Sequence, residues 1–88
     1  MKIKKEFVTR EVAGDWLLVP VGRTTVDLNG MITLNETGAF LWEKLPQAAD
    51  EAALVDALLE EYEVDRATAA ADVAEFLEKL RKLDIIEG

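Results

Sequence analysis

Cysteine, histidine and serine are all absent from the 88-residue sequence. Without cysteine the chain can form no disulfide, thiolate metal site or redox pair, so packing alone must stabilise its core. The common Ser and Cys nucleophiles and the His base are missing together, which removes most hydrolytic chemistry. We therefore predict no catalytic residue and no enzyme activity. No two carboxylates have a spacing typical of a metal site, so we also predict no metal ion and no cofactor.

Basic residues are scarce in the second part of the chain. Residues 1–30 hold five basic and four acidic side chains, whereas residues 31–88 hold five basic and fourteen acidic ones, and the net charge of the whole chain is −8. Nucleic-acid and anionic-membrane binding draw affinity from Lys and Arg, so we predict neither partner. The sequence also lacks a long apolar run and the apolar centre of a signal peptide, and we predict a soluble, cytoplasmic protein.

One small domain over residues 1–88 accounts for the length, since no linker or internal repeat interrupts the sequence. The side chains alternate with period two from Phe7 to Ala13, and an apolar run covers Trp16 to Val21. We predict a hairpin of these two strands, with its turn at Gly14-Asp15. The second strand should end near Pro20, because proline has no N–H for the ladder.

A further pair of strands is predicted in the next segment. Thr24 to Leu28 is rich in β-branched residues, and Met31 to Leu34 is the returning strand. Asn29-Gly30 between them is a strong hairpin signal, because both residues accept positive φ.

Three helices follow the strands. Asn35 is suited to cap the first helix, the second should start at Asp50 and the third at Asp65, and apolar residues recur at spacings of three and four after each start. The first helix should end near Leu45, and the apolar tail Ile85-Ile86 should pack back on the core. Strands followed by helices predict an α+β fold, with the helices on one side of a small antiparallel sheet. The same elements also describe a winged helix-turn-helix, which is usually a DNA reader.

The segment from Gly30 to Trp42 has the sequence GMITLNETGAFLW. It resembles the signature of the coenzyme PQQ synthesis protein D (PqqD) family, in which a Gly-Met-hydrophobic strand ends in Leu-Asn before the first helix. The resemblance continues through Leu54 to Tyr62 and through Ala70 to Leu77, and it covers roughly residues 15–87. Family members of PQQ synthesis usually have a Tyr-Pro-Glu-Gly-like turn where this chain has Asp27 to Gly30, which leaves the pathway open.

The resemblance implies a single PqqD-like domain with a winged helix-turn-helix-like fold of three strands and three helices. It implies a non-catalytic recognition element that holds the leader of a ribosomally made precursor peptide and presents it to a modifying enzyme, often a radical SAM protein. The leader would add as a strand beside the third strand, in the groove next to the third helix. Carried onto this chain, the peptide-binding residues are Met31, Ile32, Thr33, Leu34, Asp72, Val73, Phe76, Lys79 and Leu80.

The residues themselves are compatible with this mechanism. Met31 to Leu34 carries no charge, and an uncharged edge beside an apolar helix suits strand addition. The same strand could instead be central, with its apolar side chains simply in the core. Lys79, Arg81 and Lys82 could pair with acidic leader residues or form a solvated helix end.

Two other functions stay open from sequence. One is a winged helix-turn-helix regulator that associates with DNA. The other is a self-associating scaffold, a homodimer for example, in which the open Met31 to Leu34 edge pairs with a second copy.

Overall fold

The computed structural model describes residues 1–22 and 32–87, and these form three strands followed by three α-helices. The predicted strand Thr24 to Leu28, its Asn29-Gly30 turn and Met31 lie outside the described residues. The elements are β1 (Phe7–Val12), β2 (Asp15–Pro20), β3 (Ile32–Leu34), α1 (Glu36–Lys44), a short 3-10 helix (Leu45–Gln47), α2 (Glu51–Glu61) and α3 (Arg66–Lys82). The predicted α+β fold is confirmed, while the term winged helix-turn-helix fits it only loosely.

The first two strands form the predicted hairpin, but its turn lies one residue earlier than predicted. Ala13 and Gly14 have φ values of 53° and 86°, and Val12 pairs with Asp15 across them. Two central residues with positive φ are typical of a type I′ turn, whose twist matches that of the strands. The prediction of Gly14-Asp15 was wrong because Ala13, a residue type that rarely adopts positive φ, occupies the first central position. As predicted, β2 ends at Pro20.

The sheet has the order β1-β2-β3 and both pairs are antiparallel. Within the described residues β3 pairs only with β2, so β1 and β3 are its two edges. The side chains of Leu18, Ile32 and Leu34 are buried against the helices. Val8 and Val12 are exposed on β1.

Asn35 caps α1 as predicted, and Asp50 and Asp65, the predicted starts of the other two helices, are their N-caps. The side chains of Asn35, Asp50 and Asp65 accept hydrogen bonds from the backbone N–H three residues later, at 2.7, 2.9 and 2.7 Å. Such caps satisfy N–H groups that have no partner inside the helix. The hydrogen bonds from Thr68 lower the pKa of the Asp65 carboxyl.

One apolar core joins the sheet to the helices. Its buried residues are Leu18, Ile32, Leu34, Leu41, Leu45, Ala48, Leu54, Val55, Leu58, Ala69, Val73, Phe76, Leu77, Leu80, Ile85 and Ile86. Trp16 and Trp42 pack at the margin of this core, and the Trp42 ring makes an edge-to-face contact with Phe7. None of the described helices has the length and apolarity to span a bilayer.

The chain end returns to the core as predicted. After α3, the N–H of Asp84 donates to the carbonyl of Arg81, and the N–H of Ile85 donates to the carbonyl of Leu80. This is a Schellman motif with Asp84 in the left-handed region at φ 57°. Ile86 forms a bridge with Ile3, so the N-terminal segment is held against the C-terminal tail.

Candidate binding groove

A groove with a volume of about 630 Å³ lies between β3, α1 and α3. Volumes of this order are typical of binding sites, roughly 300–1,000 Å³. The groove-lining residues come from the end of β3, from α1 with its N-cap, and from α3 with its C-cap: Thr33, Leu34, Asn35, Thr37, Gly38, Leu41, Asp72, Glu75, Phe76, Glu78, Lys79, Lys82 and Leu83.

The groove has an apolar floor and a charged rim. Leu34, Leu41 and Phe76 are buried core residues that also line it. The rim is formed by exposed side chains of α3, with the three carboxylates of Asp72, Glu75 and Glu78 and the two ammonium groups of Lys79 and Lys82. An apolar floor can take up apolar side chains of a ligand, while the charged rim can select the polar groups around them.

Gly38 brings α1 close to the end of β3. A Cβ at this position would lie 3.1 Å from Oδ1 of Asn35 and 3.4 Å from Cβ of Leu34. Glycine inside a helix costs about 1 kcal/mol relative to alanine. The close packing of α1 on the end of β3 accounts for this residue.

The hydrogen-bond pattern of the sheet determines which groups β3 presents at its edge. The N–H of Val21 donates to the carbonyl of Glu6, which makes this a bonded pair. In an antiparallel ladder, bonded and non-bonded pairs alternate. From the register, Leu17 therefore directs its N–H and C=O towards β1, and its partner on β3, Thr33, directs its own away from β2. Thr33 is thus the residue of β3 that offers an outward donor and acceptor.

A lysine of α3 confirms the direction of the Thr33 carbonyl. The ammonium group of Lys79 donates to this oxygen at 3.4 Å, on the side of β3 that faces away from β2. The neighbouring Lys82 instead pairs with Glu78 at 3.4 Å, one turn earlier on the same helix. Within residues 1–22 and 32–87, Lys79 forms no ion pair.

The structure brings five of the nine residues implied by the resemblance to the groove surface. These are Thr33, Leu34, Asp72, Phe76 and Lys79. The other described ones, Ile32, Val73 and Leu80, are buried in the core behind the groove, and Met31 lies outside the described residues.

Several groove residues were not predicted. On α3, Glu75, Glu78 and Lys82 follow the same spacing of three and four as Asp72 and Lys79, so the helical period could have identified them. For the groove residues of α1, the sequence gives a weaker indication of their position. They reach the groove because the cap at Asn35 directly follows β3, which sets the first turn of α1 beside the strand end.

In its described lining, the groove contains neither a cluster of metal ligands nor the tyrosine of the chain. In the described part of the chain, no three Asp, Glu, His or Cys residues are placed to hold a metal ion. Burial raises the pKa of Tyr62, with smaller contributions from the charges of Glu36 and Glu61. Tyr62 does not line the groove and instead packs edge-to-face on Phe40. The groove therefore has the chemistry of a binding surface, built from backbone groups, apolar side chains and exposed charges.

Comparison with known proteins identifies the family. The family model of coenzyme PQQ synthesis protein D (PqqD) matches residues 16–86, which include β2, β3 and all three helices. No curated protein matches the chain in sequence. A solved structure described as "TbiB1 in Complex with the TbiA(beta) Leader Peptide" is similar, with a TM-score of 0.73 and 27% sequence identity over 100% of this chain and 96% of that one. On the family match, and with the similar fold, this chain belongs to the PqqD family.

Proposed function

We propose that this protein is a non-catalytic module that binds the leader of a ribosomally made precursor peptide and presents it to a modifying enzyme. The observation that carries the proposal is the edge of β3. Thr33 presents an outward N–H and C=O on an uncharged strand, beside a groove with an apolar floor. The similar structure was solved with a leader peptide, which supports a peptide as the occupant.

Strand addition explains how such a groove would hold a peptide. Backbone hydrogen bonds to an exposed strand edge supply affinity, and pockets for alternate side chains supply specificity. A strand added beside β3 would pair with Thr33, and its alternate side chains would reach Leu34, Leu41 and Phe76. We infer that Ile32, whose backbone groups face β2, supports the groove from the core together with Val73 and Leu80.

The later steps of the function are proposed from the family alone. A modifying enzyme, of the radical SAM type for example, would act on the peptide while the module holds it. The cysteine-free sequence suits a reducing compartment, so we propose that binding takes place in the cytoplasm.

No specific observation favours the DNA-binding alternative. The rim of the groove has three carboxylates against two ammonium groups, and the whole chain has a net charge of −8. Phosphate binding requires the opposite balance. A band shift with mixed DNA at low salt would revive this alternative.

The test uses two matched proline substitutions. Thr33 and Thr9 both occupy non-bonded positions of their ladders, so each directs its N–H outward, but they lie on opposite edges of the sheet. Proline removes that donor and adds a ring at the edge. We expect Thr33→Pro to weaken binding of synthetic leader peptides, taken from short reading frames beside the gene, by about tenfold or more. Thr9→Pro should bind them as the wild type does.

The readout is a fluorescence polarisation titration of each labelled peptide, with circular dichroism to verify that both variants fold. Equal binding by wild type and a folded Thr33→Pro would contradict strand addition at β3. Should Thr33→Pro fail to fold, N-methylation of alternate residues of the peptide tests the same ladder. Strand addition then predicts a loss of binding at every second position, and a loss without this period would contradict it.

A further inference from the structure

Lys79 differs from Lys82, the other cation of the groove rim, in the group that it contacts. Its ammonium group contacts the one β3 carbonyl that an added strand would use, whereas Lys82 is paired with a carboxylate of its own helix. The contact of Lys79 with the Thr33 oxygen is long, at 3.4 Å, and exposed. Bonds of this length and exposure are weak and readily exchanged.

An incoming strand must replace this contact. The peptide N–H that pairs with Thr33 takes over the carbonyl, and the ammonium group of Lys79 loses its acceptor. Side chains alternate along a strand, so the peptide residues on either side of the paired one project towards α3. A carboxylate on one of these residues is placed to accept from the released ammonium group.

The charge around the groove means that a peptide carboxylate would be attracted by Lys79 itself and not by the surface as a whole. The rim has a net charge of −1, from three carboxylates and two ammonium groups, and the whole chain has a net charge of −8. Neither attracts an acidic peptide in general. Asp72 and Glu75 lie seven and four residues before Lys79 on α3, and they would repel a carboxylate placed beside them.

We propose that Lys79 caps the Thr33 carbonyl in the free protein and selects peptides with an Asp or Glu next to the residue that pairs with Thr33. This inference rests on the proposed function and adds the chemical class of the peptide. The required strand has an apolar residue for the groove floor and a carboxylate at the Lys79 end. Lys79 is then a specificity-determining residue, and a peptide lacking the carboxylate must displace it without compensation.

The test is a selection from a random 12-residue peptide library displayed on mRNA. Immobilised wild type, Lys79→Glu and Arg81→Glu are used as baits. Arg81 is the matched control because it is exposed in the same helical turn, does not line the groove, and gives the same change of charge. We expect wild type and Arg81→Glu to enrich Asp or Glu at a fixed distance from an apolar residue. Lys79→Glu should lose this enrichment and favour Lys or Arg there.

A second readout measures how Lys79 exchanges the Thr33 carbonyl for a carboxylate of the peptide. One selected peptide is synthesised with its Glu and with Gln in the same place, and both are titrated against wild type and Lys79→Met. Wild type should bind the Glu form about threefold more tightly, as for a partly exposed charge pair. In Lys79→Met this difference in affinity should vanish. The Gln form should bind Lys79→Met at least as tightly as it binds the wild type, because the backbone N–H of the peptide no longer competes with the Lys79 ammonium group for the Thr33 carbonyl.

The outcomes separate this inference from the proposed function. Selected peptides that require Thr33 but show no acidic preference, or keep that preference with Lys79→Glu, overturn the role of Lys79 and leave strand addition intact. Failure to select any peptide, or selection of peptides that bind Thr33→Pro equally well, overturns both.

Discussion

The two edges of the sheet are built in different ways. β1 is a six-residue strand that carries Arg10 and Glu11 and is exposed over nearly its whole length. β3 is a three-residue strand without charge, and its side chains at both ends are buried. Natural edges are usually protected by charge or by a covering element. Charge protects β1, whereas the described residues place a groove and a contact from Lys79 beside β3.

The backbone geometry of the two edges is the same, and their surroundings set them apart. Thr9 and Thr33 both direct N–H and C=O outward, and in the described part of the chain a groove of apolar and charged side chains lies beside Thr33. The family match begins at residue 16, so it includes β3 and α3 and leaves out β1. The matched part of the chain therefore contains β3 and all the described residues that line the groove.

The largest expected difference between the edges is in stability. Leu34 is 5% exposed on β3, and Val12 is 54% exposed on β1. We expect Leu34→Ala to lower the free energy of unfolding by about 2–5 kcal/mol, since it leaves a cavity under the groove. Val12→Ala should change it by less than about 0.5 kcal/mol. Urea denaturation of both variants measures this, and equal losses would contradict the view that β3 is an edge anchored in the core.

A second prediction removes the charge that protects β1. The double substitution Arg10→Thr with Glu11→Thr turns the six-residue strand β1 into an uncharged edge, as β3 is. We expect a larger mean mass than wild type at the same concentration, through pairing of the exposed edges. Light scattering measures the mass. Glu60→Ala with Arg81→Ala is the charge-matched control on exposed helix positions, and an unchanged mass in the β1 variant would show that charge is not what protects that edge.

The smallest predicted effect concerns pH and the segment that precedes β1. The Lys4 ammonium group donates to the Asp84 carboxylate at 2.6 Å, and this contact lowers the pKa of that carboxyl. A carboxyl whose pKa is lower in the folded state adds stability above its unfolded value, near 3.9. That stability is lost as the pH falls through the folded value.

Asp84→Asn tests this contribution, because asparagine also tolerates the left-handed conformation found here. We expect the variant to be slightly less stable than wild type at pH 6, with the difference fading below pH ~4. Thermal unfolding across this range measures it. A difference that stays constant with pH would show that the charge of Asp84 has no part in holding the two chain ends together.

Much of the fold follows from local sequence signals. The caps at Asn35, Asp50 and Asp65 and the apolar spacing after them gave all three helices their correct starts. The β1-β2 hairpin was also predicted, because alternation with period two is a local property. The position of its turn was not predicted correctly, because alanine rarely adopts positive φ. Ala13 does so here, in a turn whose twist matches that of the strands.

The groove was harder to predict because it depends on how distant elements meet. The helical period identifies the α3 face that carries Asp72, Phe76 and Lys79, but it does not say which side of that face is buried. The family resemblance assigned Val73 and Leu80 to the groove, although both lie in the core. The contact of Lys79 with Thr33 joins residues 46 positions apart, and no local pattern indicates it.

The most direct test of strand addition at β3 is an NMR titration of the isotope-labelled protein with synthetic leader peptides from reading frames beside its gene. The account predicts amide shifts at Thr33 and Leu34 and along α3 from Asp72 to Lys82, with Thr9 and Glu11 on the opposite edge unmoved. Shifts concentrated on β1, or no shift with any of these peptides, would contradict it.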